Sequence, residues 1–364
     1  MRFMAVLVVL LAVCGADDHA TRVATWRLTH TAQGLTGRVD STRIGSIGVM
    51  GQGQGQAWAV LAEENGRKGG SWSWTMLRRD GVSWRPAPPP KGVRGSGAWF
   101  AASPSGDDLW LFAGDRPFQL AGGRWVYRPW PSRFARESVA VGARDDVWIS
   151  EYGGPDDYSG SGLRHWDGRS WEAVPKPSPY GDLDQVSRVA ASGRGEVWAV
   201  VHAAGEATVI RRDGSGWATT PLPPAPGCPP APAGVFYGMA ARARDDVWLI
   251  TQGAAQRSGS CEVPDRGLVA RWDGTAWRWL DLPLAGAWLP AVRADRAGGV
   301  WIAVNPAHGQ SYVLNFRHGR WTRSTLPSEG GWAGFVDIVP VPGTTRLWAL
   351  ARRGDGTLLI YELA

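Results

Sequence analysis

Tryptophan recurs in two alternating phases along this chain, and a self-similar period leaves few folds open to it. The first phase is an apolar-Trp pair after a turn: Ala57-Trp58, Leu109-Trp110, Val147-Trp148, Val197-Trp198, Val247-Trp248, Val300-Trp301 and Leu347-Trp348. Successive spacings are 52, 38, 50, 50, 53 and 47 residues. The second phase is a strand-like run, a Gly-containing turn and a Trp. It ends at Trp84, Trp125, Trp171, Trp217, Trp277 and Trp321. A period near 50 residues means an array of supersecondary units, not one asymmetric domain. Of the 23 Trp, fourteen fall in these phases once Trp26 is included. A buried Trp covers on the order of 200 Å², so Trp at fixed phase predicts packing between units.

Each unit reads as four strands. A short apolar run, such as 138–143, 187–193, 238–243 or 336–343, forms strand A. A tight turn follows, often acidic, as at Asp107-Asp108, Asp145-Asp146 and Asp245-Asp246. Those Asp are read as turn residues that bond their own backbone. Strand B carries the first Trp, strand C often ends at Asp-Gly, and strand D begins at the second Trp. Asp-Gly between apolar runs is a strong hairpin signal. With 49 Gly and 26 Pro, helices are not expected. Seven four-stranded meanders describe an all-β, seven-bladed β-propeller, whose closure protects strand edges. The last unit lacks a strand D, whereas 24–28 offers a D-like strand with Trp26 and no partner. Pairing that strand with 358–361 closes the ring and leaves no strand over.

On these residues the chain resembles the secreted bacterial seven-bladed propellers loosely grouped with WD40, YVTN and BNR-like repeats. The resemblance covers about residues 24–364 and implies fold more than function. Two copies of strand C end in Trp-Asp (Trp166-Asp167 and Trp272-Asp273), as WD40 repeats do, but no Gly-His pair occurs. The Asp-x-Gly-x-x-Trp of sialidase-like propellers is also missing, because Asp and Gly are adjacent here.

Residues 1–16 predict a signal peptide and 17–23 a short tether. One Arg precedes an apolar run from Phe3 to Val13, too short to span a bilayer. Leu11-Ala12-Val13-Cys14 looks like a lipobox with Val13 out of pattern. Lipidation of Cys14 and ordinary cleavage after Ala16 or Ala20 both stand. The expected address is outside the cytoplasm, secreted or tethered at the surface. The net charge of +6 is mild and evenly spread, which argues against a nucleic-acid partner.

Catalytic and metal signatures are missing. The six His show no H-x-H or H-E-x-x-H spacing, and no G-x-S-x-G occurs. No catalytic residue, metal site or cofactor is expected. With Cys14 lipidated or removed, Cys228 and Cys261 remain. They fall in a D–A and a B–C loop, which share one propeller face, so a disulfide is expected in an oxidising compartment. The B–C loops of blades one, three and five read as long. The third holds Tyr152, Asp157 and Tyr158, and the next D–A loop holds Tyr180 and Asp182. Among the off-phase Trp, Trp288 and Trp332 fall in D–A connections. Tyr152, Asp157, Tyr158, Tyr180, Asp182 and Trp332 are the candidate ligand contacts, since aromatics beside carboxylates suit a sugar or a cation. The expected function is non-catalytic binding of an extracellular protein, a carbohydrate or a cell-wall component by a monomer. Membrane contact is expected only through the N-terminal lipid. The alternative is a hydrolase or lyase at the central depression.

Overall fold

The computed structural model describes residues 24–364 except 33–42, 51–55, 66–70, 94–97, 115, 131–134, 153–161, 177–178, 182–183, 204–205, 215, 227–235, 253–256, 259–260, 263–266, 285, 296 and 329–330. The strands form seven four-stranded antiparallel sheets, each ordered A-B-C-D. Strand A of blade one is Arg43–Met50, and those of blades two to seven are Ala98–Ala102, Ala135–Ala143, Gln185–Gly193, Phe236–Ala243, Trp288–Ala294 and Ala333–Pro340. These seven strands surround the axis. In blade seven the N-terminal strand Trp26–Ala32 takes position D against Leu358–Leu363, with Trp26 opposite Leu363 and Leu28 opposite Tyr361. The ring is a seven-bladed β-propeller closed by its first strand.

The two Trp phases turn out to be the two halves of one contact. The strand-B Trp of each blade meets the strand-D Trp of the next blade edge-to-face. Trp58 meets Trp125, Trp110 meets Trp171, Trp148 meets Trp217, Trp198 meets Trp277 and Trp248 meets Trp321, with centroids 5.4–6.2 Å apart and planes 71–90° apart. Trp348 meets Trp84 across the seam at 5.5 Å and 89°. At the remaining junction Trp301 and Trp26 pack into one cluster with Phe335 and Tyr361. Edge-to-face geometry sets the positive rim of one ring on the negative face of the other, contributing about 0.5–1.5 kcal/mol beyond area burial.

Near the axis the blades converge and only small side chains fit. A Cβ added at Gly48 of blade one would lie 2.7 Å from Phe100 Cβ of blade two, and one at Gly238 of blade five 3.1 Å from Val292 of blade six. Polar staples join the innermost strands. Asp337 of blade seven accepts from Arg293 of blade six at 2.7 Å and from Ser46 of blade one at 2.8 Å. The Ser46 hydroxyl in turn accepts the Phe100 N–H of blade two at 3.0 Å.

One sequence expectation needs correction. The blade-one insertion is not a long loop, because strands B (Gln56–Asn65) and C (Ser71–Asp80) run on as a paired ribbon to Asn65 and Ser71. Alternation alone does not reveal where a hairpin stops pairing when its strands outgrow the blade. Blade five does carry a long B–C connection, which contains a two-stranded ribbon pairing Arg257 with Glu262 and Ser258 with Cys261.

The seam also holds a charge cluster. Glu362, 1% exposed, receives Arg27 at 2.6 Å and Arg346, with Arg79 of blade one at 3.9 Å. The Arg79 guanidinium lies 4.5 Å over Trp348. Replacing one carboxylate here leaves buried guanidinium charge uncompensated. Glu362→Gln is expected to cost about 3–5 kcal/mol in urea unfolding, and an unchanged midpoint would remove Glu362 from ring closure.

Candidate functional site

The propeller topology gives two unlike faces. D–A and B–C connections emerge on one, the loop face. A–B and C–D turns form the other, the turn face. Between them runs a central channel of about 740 Å³, walled by all seven strands A. Small side chains contribute much of its wall, Gly48, Ala101, Ala140, Ala190 and Ala240 among them, and polar and apolar surface share it about equally.

At the loop-face mouth the strands depart from regular pairing. The register between strands A and B shifts at Glu137 in blade three, Ser187 in blade four, Tyr237 in blade five and Val336 in blade seven. A bulge re-aims its side chain, and Glu137 and Tyr237 line the channel. Glu137 accepts Arg188 at 2.9 Å and Gln185 at 2.8 Å, both from blade four. Across the mouth lies an aromatic arc. Tyr237 packs against Trp288 of blade six with centroids 5.2 Å apart. Trp288 opens strand A of blade six and is 41% exposed, and Trp332 precedes strand A of blade seven and is 52% exposed. The Trp332 ring overlies Gly334, where an added Cβ would lie 2.8 Å from it.

Of the residues predicted from sequence, Trp332 is therefore on the loop face, just before strand A of blade seven. Tyr180 lies in the D–A connection before blade four, half-buried against the cluster that contains Val186 and Val189. Tyr152 ends strand B of blade three, and its side chain lies outside what the structure describes. Asp157, Tyr158, Asp182, Cys14 and Cys228 lie outside the described residues, and Cys261 is placed by backbone only. Glu137 and Arg188 were missed, because a bulge leaves no mark in the alternation of a strand.

The acidic A–B turns do more than shape a turn. In blades three and five the second Asp of the pair reaches inward to the indole two residues on. Asp146 accepts Trp148 Nε1 and His165 Nε2, both at 2.7 Å, and the Gly195 N–H of blade four at 2.7 Å. Asp246 accepts Trp248 at 2.9 Å and Arg271 at 2.8 Å. Asp295, on a longer spacing, accepts Trp301 at 2.7 Å and Arg317 at 2.6 Å. Opposite each strand-B Trp, strand C places a polar residue: Arg78, Gln119, His165, Arg211, Arg271, Asn315 or Glu362. The Asp-x-Trp spacing was the available signal for these structural triads.

Among the described residues one Ser–His pair occurs near the loop face. Ser187 Oγ and His202 Nε2 are 2.8 Å apart. Burial, then the Arg188 charge, holds the His202 imidazole below its usual value. Ser187 is 5% exposed, and neither residue lines the channel.

No family model matches the chain, and no curated protein sequence matches it. Solved structures do. YCF48 bound to D1 peptide is 16% identical, with a TM-score of 0.51 over 93% of this chain and 96% of that one. The propeller domain of the trilobed protease from Pyrococcus furiosus is 9% identical, with a TM-score of 0.56 over 88% and 93%. The extracellular domain of the B. thetaiotaomicron one-component system BT4673 is 10% identical, with a TM-score of 0.56 over 93% of this chain and 40% of that one. The likeness is one of fold. These propellers belong to proteins of varied roles.

Burial pushes the Asp146 carboxyl up, but the bonds from His165, Gly195 and Trp148 outweigh it and hold it below its ordinary value. A lowered carboxylate contributes stability above its unfolded value, about 3.9, and loses it as pH falls through the folded one. Asp146→Asn is expected to flatten the acid limb of a stability–pH curve below about pH 5. An acid limb as steep as in the parent would count against the triad.

Proposed function

We propose that this protein is a non-catalytic binding propeller, exported from the cytoplasm, that recognises a protein, glycan or cell-wall ligand on its loop face over the channel mouth. The carrying observation is the pair of exposed indoles, Trp288 and Trp332, on adjacent blades. Folding alone gives no reason to leave two of the largest apolar side chains in water, whereas exposed aromatics mark contact surfaces. A flat indole stacks on a sugar face, a pyrrolidine ring or a cation. Tyr237 braces Trp288, and the Glu137–Arg188 pair supplies polar groups across the mouth.

The polar groups described at the channel also support binding over hydrolysis. Glu137, Arg188, Asp337, Arg293 and Ser46 are all engaged in bonds between blades. The Ser187–His202 pair, the best candidate for a nucleophile and base, is buried off the channel wall. YCF48, similar in fold, is bound to a peptide, and the BT4673 domain is extracellular. Export rests on the apolar run Phe3–Val13.

The test is a peptide and glycan screen on the purified chain, followed by the double variant Trp288→Ala, Trp332→Ala. Binding of the selected ligand is expected to weaken by roughly a hundredfold, about 2–3 kcal/mol, with the urea midpoint nearly unchanged. Equal affinity in the variant would reject the aromatic arc as the contact surface.

A further inference from the structure

Asn305 ties the two exposed indoles to one another. It ends strand B of blade six (Gly299–Asn305), where it pairs with Trp288 on strand A. Its amide crosses to blade seven, donating Nδ2 to the Phe335 carbonyl at 2.9 Å and accepting the Phe335 N–H on Oδ1 at 2.8 Å. The Trp332 ring and Asn305 Nδ2 both border the place a Cβ would take at Gly334, at 2.8 and 3.4 Å. The Trp332 carbonyl is held as well, accepting the Gly354 N–H from the B–C turn of blade seven at 3.1 Å. An amide clamp between the blades fixes the spacing of the indoles before any ligand arrives. Backbone geometry puts their Cα atoms within roughly 20 Å of one another.

This rim offers donors and few acceptors. The Trp288 and Trp332 indole N–H groups have no hydrogen-bond partner among the described residues. Neither does Arg352, the ladder partner of Gly334 on strand B of blade seven. Indole N–H and guanidinium groups can only donate. Side-chain acceptors at the same ends of the strands are already used: Asn305 Oδ1 by Phe335, Asp355 by Arg353 and the Thr357 N–H, and Glu137 by Arg188 and Gln185. A sugar brings hydroxyls that donate as well as accept, and each donor taken from water needs an acceptor. A proline-rich strand brings carbonyls and no N–H. In the polyproline II form those carbonyls are unbonded, and three residues make one turn of about 9 Å. Pyrrolidine rings three or six residues apart therefore lie on one side, at spacings that two indoles within roughly 20 Å can meet.

We infer that the loop-face ligand is a proline-rich peptide in the polyproline II conformation, stacked on Trp288 and Trp332 with its carbonyls taking the indole N–H groups and Arg352. The inference rests on the aromatic arc being the contact surface. A fixed pair of rings suits a strand that is itself stiff, since neither side loses much freedom on binding.

Calorimetric titration of the full chain with nonaproline, triproline, a Gly-Ser nonapeptide and chitohexaose, each separately, tests this. Nonaproline, about 28 Å long, is expected to bind saturably, and triproline, about 9 Å long, at least roughly tenfold more weakly because it reaches one indole only. The Gly-Ser peptide should not bind. Trp288→Ala and Trp332→Ala, each at an exposed position, should fold as the parent does and bring nonaproline down roughly tenfold, to the level of triproline. No saturable binding of nonaproline up to on the order of 10 mM, equal affinity for the two proline lengths, or an unchanged affinity in both single variants would each overturn the inference. Chitohexaose bound in place of nonaproline, and lost in the double variant Trp288→Ala, Trp332→Ala, would overturn the peptide class while keeping the arc as the contact surface. A screened ligand that binds the double variant as it binds the parent would remove the arc itself.

Discussion

Everything in this ring depends on one contact, an indole from strand B of one blade set edge-on against an indole from strand D of the next. A propeller blade has two exposed faces and no core of its own. It can bury apolar surface only against its neighbours, so the blade-to-blade contact is the core. Trp suits that place because one side chain spans the wedge that opens as blades diverge from the axis. The contact is also directional. At six of the seven junctions the strand-B Trp meets the strand-D Trp of the following blade, as in Trp148–Trp217 and Trp248–Trp321. The seam repeats it with Trp348 and Trp84, so the junction between the last and first blades uses the same interaction as five others.

The radial taper explains what changes from axis to rim. Indoles fill the outer wedge, while near the axis a single added methyl would clash, as Gly48 against Phe100 shows. Short polar staples add to the apolar contacts that the innermost strands make, such as Ile47 and Val49 with Val339. Asp337 bridges blades six, seven and one, and Glu137 bridges blades three and four. The B-strand indole poses a second problem, because burying it strands an N–H. In blades three, five and six an Asp from the A–B turn accepts that N–H, and a strand-C His or Arg bonds the same Asp. In those three blades burial and hydrogen bonding are thus settled together at one spot.

The fold was legible because its constraint repeats. Seven copies of each Trp phase fix the blade count, and the orphan strand at Trp26 shows how the ring closes. What repeats weakly was harder to read. The inward reach of Asp146 and Asp246 was hidden because Asp in a turn is already accounted for by turn geometry, although the Asp-x-Trp spacing carried the information. Bulges such as the one at Glu137 change the direction of a side chain without changing the pattern of apolar residues. The channel mouth was least legible. Glu137, Tyr237, Trp288 and Trp332 come from four segments separated by up to about four repeat lengths, and only the ring closure brings them to one rim. Trp288 and Trp332 announced themselves only by falling out of phase with the packing Trp.

That last point bears on how such a scaffold acquires function. Residues in phase are committed to blade contacts, so the ligand surface must be written in what is left over. On the loop face the surplus is insertions and off-phase aromatics, which cost little to add because loop closure grows slowly with length. The turn face has no such freedom, since its A–B and C–D turns stay tight in most blades. Its only route to a site is side-chain chemistry on fixed turns, and arginine supplies reach there without lengthening the chain. Arg144 and Arg194 sit at corresponding A–B turns of adjacent blades. Repetition that serves packing therefore also places arginines at matching turns of adjacent blades, and at the strand-C position where blades three and five carry His165 and Arg271, blade two carries Gln119, a buried amide that positions Arg128.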